Sequence, residues 1–125
     1  MQKFTSESQK VGKLGEDVAV RYLKNKGFVI LERNYTKKWG EIDIVAKKSN
    51  KIHFIEVKTI RDTGAQILSP EGNIHEKKLA RIYRAADTYL AERNVGEKVL
   101  WQIDAVTILL DPIGKTAKVR YFECI

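Results

Sequence analysis

Residues 40–58 read GEIDIVAKKSNKIHFIEVK, and the fold turns on how this stretch is read. The run 41–47 alternates apolar and polar residues, and 51–58 is apolar with polar interruptions, so both read as strands. The link KSN at 48–50 is short enough for a hairpin, which makes the pairing antiparallel. Acids are depleted in half-buried strands because burial strips their water. Here Glu41 and Asp43 stand on one arm, and Glu56 and Lys58 on the other. Strict period-two geometry turns Glu41 and Asp43 to one face, Ile42 and Ile44 to the other, and lets Glu56 and Lys58 share a face. Brought together, these faces place carboxylates and one ammonium on a patch about the size of a hydrated cation's first shell. Two carboxylates about 4 Å apart repel by roughly 4 kcal/mol at an effective dielectric near 20, and a divalent cation removes that repulsion. Oxygen-only ligands select Mg²⁺ or Mn²⁺ over zinc.

Outward from the hairpin, Val11, Leu14, Val18 and Tyr22 have helical spacing within 6–26, with Ser6 and Ser8 as candidate caps and Gly27 as the stop. Glu16 lies on the flank of that stripe, able to reach whatever the stripe packs on. FVILER at 28–33 reads as a strand, and a loop containing Trp39 and Gly40 leads to the next one. Residues 59–73, with Gly64, Pro70 and Gly72, read as a long loop of the kind that is often functional. A second helix over 74–93 carries Leu79, Ile82, Tyr83, Ala86 and Leu90 as its apolar stripe. Residues 98–110 and 117–125 read as two more strands joined across Pro112 and Gly114. The order is helix, three strands, helix, two strands, which predicts an α/β fold with a mixed sheet and a parallel pair bridged by the second helix.

The chain has 125 residues, the length of one domain spanning 1–125, with 43% hydrophobic and 31% charged residues as in ordinary globular proteins. Lys and Arg number 23 against 16 Asp and Glu, a formal charge of +7 that suits a polyanionic partner. Lys37, Lys38, Lys77, Lys78, Arg81 and Arg84 are the candidate nucleic-acid contacts, the alternative being a solvated helix face. Trp39 could stack on a base or cover a core edge. Cys124 is the only cysteine, which excludes an intrachain disulfide and fits a cytoplasmic setting. The stretch MQKFTSESQKVGK has no signal-peptide core, and VTILL at 106–110 cannot span a bilayer, so no membrane partner is expected. His53 is out of phase with Glu56 and Lys58 and belongs on the opposite face, and Asp104 in its apolar strand is expected to pair with a Lys or Arg of the second helix.

Asp43, a short hairpin, then Glu56, Val57 and Lys58 resemble the D...ExK signature of the PD-(D/E)xK, restriction endonuclease-like nuclease superfamily, whose core has this element order. More narrowly, GEDVAVRYL at 15–23, RNY at 33–35, GEIDIVA at 40–46, FIEVK at 54–58 and the helix from Lys78 to Leu90 resemble the YraN-like family of small bacterial proteins. The resemblance covers almost the whole chain. It implies that Asp43 and Glu56 bind Mg²⁺ or Mn²⁺ together with the Val57 carbonyl, and that Lys58 positions the attacking water or steadies phosphoryl charge. Glu16 resembles the first-helix acid of Holliday-junction resolvases, and Glu41 and Lys78 fall on motif positions. In the fourth strand Gln102 and Ile103 depart from the family, which carries a basic residue before an aromatic-Asp pair. The implied activity is metal-dependent endonucleolysis of DNA, on branched or repair intermediates, by a homodimer. The alternative is a nucleic-acid-binding module of repair or replication that keeps the fold with little or no cleavage.

Overall fold

The computed structural model describes residues 7–61, 76–111 and 115–125, with side chains from residue 9 onward. Most of the expected 59–73 loop, the candidate cap Ser6 and the join across Pro112 and Gly114 fall outside these residues, whereas the other candidate cap, Ser8, is already inside the first helix and does not cap it. The elements are α1 (Glu7–Asn25), β1 (Val29–Lys37), β2 (Gly40–Lys48), β3 (Lys51–Arg61), α2 (Glu76–Glu92), β4 (Leu100–Asp111) and β5 (Thr116–Phe122). One five-stranded sheet has the order β1-β2-β3-β4-β5. Its β3–β4 pair is parallel, as a connection through α2 allows, and the other three pairs are antiparallel.

Local chemistry ends the elements where the sequence signals it. Gly27 takes φ 92°, and the amides of Gly27 and Phe28 donate to the carbonyls of Lys24 and Leu23, closing α1 with a Schellman motif. α2 closes the same way around Asn94 at φ 52°, with the Asn94 and Val95 amides donating to Ala91 and Leu90. Ser49 and Asn50 form the two-residue turn of the β2–β3 hairpin with φ 51° and 62°, the signature of a type I′ turn whose twist matches its strands. β1 is longer than the expected 28–33: it runs on to Lys37, and only Lys38 and Trp39 turn the chain into β2.

The two helices cover opposite faces of the sheet. Ala19 and Leu23 of α1 pack on Ile44, Ala46, Ile55, Val106 and Ile108, while Ile82, Ala85, Ala86 and Tyr89 of α2 pack on Ile42, Val45, Ile52, Phe54 and Ile103. Leu14 departs from the predicted stripe, being 54% exposed. The buried stripe of α1 runs through Gly15 and Ala19 instead, because the helix meets β3 so closely that a Cβ on Gly15 would lie 1.9 Å from Thr59 Oγ1. A second departure concerns β2. Ile42 packs with α2 and Ile44 with α1, so strict alternation fails across Asp43. Their partners in β1 follow: Tyr35, opposite Ile42, joins the α2 side, whereas Arg33, opposite Ile44, reaches α1. Asn34 between them has φ 53°, a left-handed residue that rolls the strand pair.

Candidate active site

The β2–β3 ladder ends at the pair Ile44 and Ile55, although both strands continue past it. In the opening that follows, the Val57 amide donates to Asp43 Oδ2 at 2.8 Å, so a carboxylate replaces the missing backbone acceptor. Glu56, 6% exposed, is the buried acid beside it. Burial first, and the neighbouring Glu56 second, push the Asp43 carboxyl up to about 8, with Glu16 and Glu41 adding smaller repulsion. The hairpin therefore brings Asp43 and Glu56 together as the spacing predicts, through a splay in the sheet rather than through simple alternation.

The ammonium that touches this acid pair is not the one on the same strand. Lys78 Nζ of α2 lies 2.5 Å from Glu56 Oε1, so a lysine expected on phosphate is held on a carboxylate. Glu56 and the adjoining acids raise the Lys78 pKa, against an opposing effect of its burial that is the largest single influence. Lys58 is exposed and lines, with Asp43, Glu41, Glu16, Thr59 and Lys78, a cleft of about 900 Å³. Glu16 reaches the cleft from α1, where Oε1 accepts from Arg33 Nε at 3.1 Å, Arg33 NH2 at 3.0 Å and Asn34 Nδ2 at 3.1 Å. Arg33 and Asn34 are thus site residues that the reading from strand spacing missed, although the RNY run at 33–35 contains both. Among the described residues no three His, Cys, Asp or Glu side chains gather as a metal-ligating group.

The basic candidates divide. Lys38, Arg81 and Arg84 line a groove of about 830 Å³ between the β1–β2 turn and α2, which also takes in Lys37, Lys78 and Trp39. Gly40 lets the two elements meet there, since a Cβ would come within 2.5 Å of the Arg81 carbonyl oxygen. Lys37 pairs with Glu92 at 2.7 Å, and Lys77 is exposed outside the groove. Trp39 donates to Thr88 Oγ1 at 3.2 Å with the Arg84 guanidinium 5.0 Å from its ring, so it is held against α2 by polar and cation–π contacts. Asp104 does not pair with α2: it accepts from Gln102, Tyr121 and the Cys124 amide and bonds His53 Nδ1 at 2.6 Å. His53 lies, as expected, on the face opposite Glu56, against Phe28.

Residues 15–108, which include every one of these cleft acids and Lys58, match the model of "Uncharacterised protein family UPF0102". The chain belongs to UPF0102. The UPF0102 proteins to which it is similar include one from Clostridium botulinum strain 657, 36% identical over 113 residues that make up 90% of each chain. Another, from Dictyoglomus turgidum, is 36% identical over 114 residues, covering 91% of this chain and 94% of its own. No helix among the described residues of this UPF0102 chain is long and apolar enough to cross a membrane.

Proposed function

We propose that this UPF0102 protein is a metal-dependent endonuclease that hydrolyses DNA phosphodiester bonds, with branched or repair intermediates as substrates. The observation supporting this reading is the meeting of Asp43 with the buried Glu56 where β2 and β3 part, Asp43 itself lining a cleft with Lys58. The donor set fits a hard cation: it is all oxygen, its two acids repel one another, and magnesium ordinarily takes one or two carboxylates with waters and phosphate oxygens. Asp43, Glu56 and the Val57 carbonyl would hold Mg²⁺ or Mn²⁺, which supplies Lewis acidity at phosphorus and a more acidic water. Lys58, on the exposed wall of the cleft, orients the attacking water and offsets charge developing on the phosphoryl oxygens. Lys78 holds Glu56 in place, and Arg33 holds Glu16 at the rim. Lys38, Arg81 and Arg84 bind the phosphate backbone and carry no sequence preference.

The test is cleavage of linear, single-stranded, flapped and four-way DNA by the purified protein with Mg²⁺ or Mn²⁺. Cutting should depend on the metal, and Lys58→Ala should lower its rate by about 10² to 10³ while keeping the thermal shift produced by Mn²⁺. A parent protein that is stabilised by Mn²⁺ and binds DNA but cuts none of these forms would instead be a DNA-binding module on a nuclease fold.

A further inference from the structure

A second polar centre lies at the other end of α1, apart from the cleft. Asp104 is 0% exposed in β4, and its carboxylate takes four partners. Gln102 Nε2 at 2.7 Å and the Cys124 amide at 2.9 Å donate to Oδ1, while the Tyr121 hydroxyl and His53 Nδ1, the latter at 2.6 Å, meet Oδ2. An acceptor at Nδ1 puts a proton on that nitrogen and fixes the ring, which also stands edge-on to Phe28 with centroids 5.0 Å apart. His53 is 6% exposed, and among the described residues no group is bonded to its Nε2. The ring lines a pocket of about 470 Å³, within the size range of small-molecule sites.

Lys26, Lys48 and Lys51 line the same pocket, against Glu123 as its one acid among the described residues. Lys48 and Lys51 are direct cross-strand neighbours beside the β2–β3 turn, an arrangement in which like charges destabilise a hairpin unless an anion lies between them. Each lysine is held by something other than a carboxylate. The Lys48 ammonium sits 5.1 Å from the Phe28 ring centroid, Lys26 sits 5.6 Å from that of Tyr22, and Lys51 donates to Gln102 Oε1 at 3.0 Å. Three ammonium groups with no ion pair among the described residues, above a buried, oriented imidazole, match one ligand chemistry. A phosphate monoester carries between one and two negative charges near neutral pH, and its oxygens can either accept from Nε2 or donate a proton to it.

We infer that this pocket binds the phosphate monoester of a nucleotide, with His53 Nε2 at its floor and Lys26, Lys48 and Lys51 around the phosphate. Two sources present this group: a free nucleotide and the 5′-phosphorylated end of a DNA strand. His53 and Lys58 are five residues apart on β3, so the pocket lies roughly 17 Å from the cleft at about 3.3 Å per residue. The inference does not require the nuclease reading, and its test contains no divalent metal.

The imidazole resonances of the ¹⁵N-labelled full chain would be followed in EDTA, during titration with dAMP and, separately, with deoxyadenosine. The His53 resonances should shift with dAMP and stay still with deoxyadenosine. Lys26→Ala combined with Lys48→Ala alters two exposed side chains, and should weaken dAMP binding at least about tenfold while leaving the melting temperature near that of the parent. Oligonucleotides with and without a 5′ phosphate separate the sources: a phosphorylated end that binds tighter than dAMP assigns the site to strand ends, and equal binding assigns it to free nucleotide. Equal shifts with deoxyadenosine, no shift at about 10 mM dAMP, or unchanged affinity in the double variant would overturn the inference.

Discussion

Asp43 combines a backbone hydrogen bond with an unfavourable charge, and the two pull in opposite directions. Its carboxyl is raised from an ordinary 3.8 to about 8 by burial and then by Glu56, while the Val57 amide favours the ionised form. A carboxyl whose pKa is raised in the folded state contributes stability fully below 3.8, and that contribution is lost as the pH rises through about 8. Without divalent cations the protein should therefore lose thermal stability across this window. Asp43→Asn keeps an acceptor for the Val57 amide and removes the charge, so its melting temperature should exceed the parent's at pH 8 and vary less with pH. Mn²⁺ should stabilise the parent and leave the variant unmoved; a parent with a flat pH profile in EDTA would contradict this role for Asp43. Thr107 gives a simpler case. Its Oγ1 is the buried side-chain polar atom without a partner among the described residues. Thr107→Val should raise stability by about 1 kcal/mol in urea unfolding, since it removes an unsatisfied hydroxyl.

At the scale of elements, the contact of α1 with β3 sets the cleft wall beside Lys58. Gly15 allows that approach, for the nearest atoms to an added Cβ are all in the Thr59 side chain, the closest at 1.9 Å. Gly15→Ala should destabilise by about 1–3 kcal/mol through overpacking. Thr59→Ala in the same chain removes the atoms at 1.9 and 2.6 Å and leaves the Cβ at 2.7 Å, so it should recover part of the deficit, giving a coupling of about 0.5–3 kcal/mol in a double-mutant cycle of urea unfolding. Additive effects would mean that α1 is held off β3 by something other than this contact. The β1–β2 hairpin shows how far local signals reach. Its turn is shorter than the sequence suggested because residues 35–37, the core residue Tyr35 followed by polar Thr36 and Lys37, still pair with β2 through Ile42, Glu41 and Gly40. A left-handed Asn34 inside that strand has no periodic signature, yet it is where the sheet rolls to send Arg33 to α1 and Tyr35 to α2.

For the molecule as a whole, the charge of +7 is distributed unevenly in its availability to phosphate. Lys37 and Lys78 are engaged by Glu92 and Glu56, whereas Lys38 and Arg81 have no ion pair among the described residues and border the groove. DNA affinity should fall steeply with salt, and removing one phosphate-binding side chain should reduce the logarithmic slope by about 0.9. Lys38→Ala with Arg81→Ala should therefore flatten the slope by nearly twice that amount and weaken all sequences alike, while Lys37→Ala should change it little. Fluorescence anisotropy with labelled duplex from about 50 to 200 mM salt reads both quantities, and equal slopes for the two variants would count against the groove as the binding surface.

The order of elements and their rough boundaries followed from the sequence alone, because helical and strand periods, glycine and asparagine stops and a short hairpin link are all local signals. The pairing of Asp43 with Glu56 was legible for the same reason, both acids standing on one hairpin. What joins distant segments was not. Lys78 on Glu56, Arg33 on Glu16, and Asp104 with His53 and Tyr121 rather than α2 each depend on how helices and strands approach in space. The splay after Ile44 and Ile55 belongs to the same class, since it arises where the roll of β1 and β2 meets a β3 that continues alongside β4. A charge pattern along the chain shows which groups are present; burial and the approach of other elements decide which charges are neutralised and which remain free to meet a ligand.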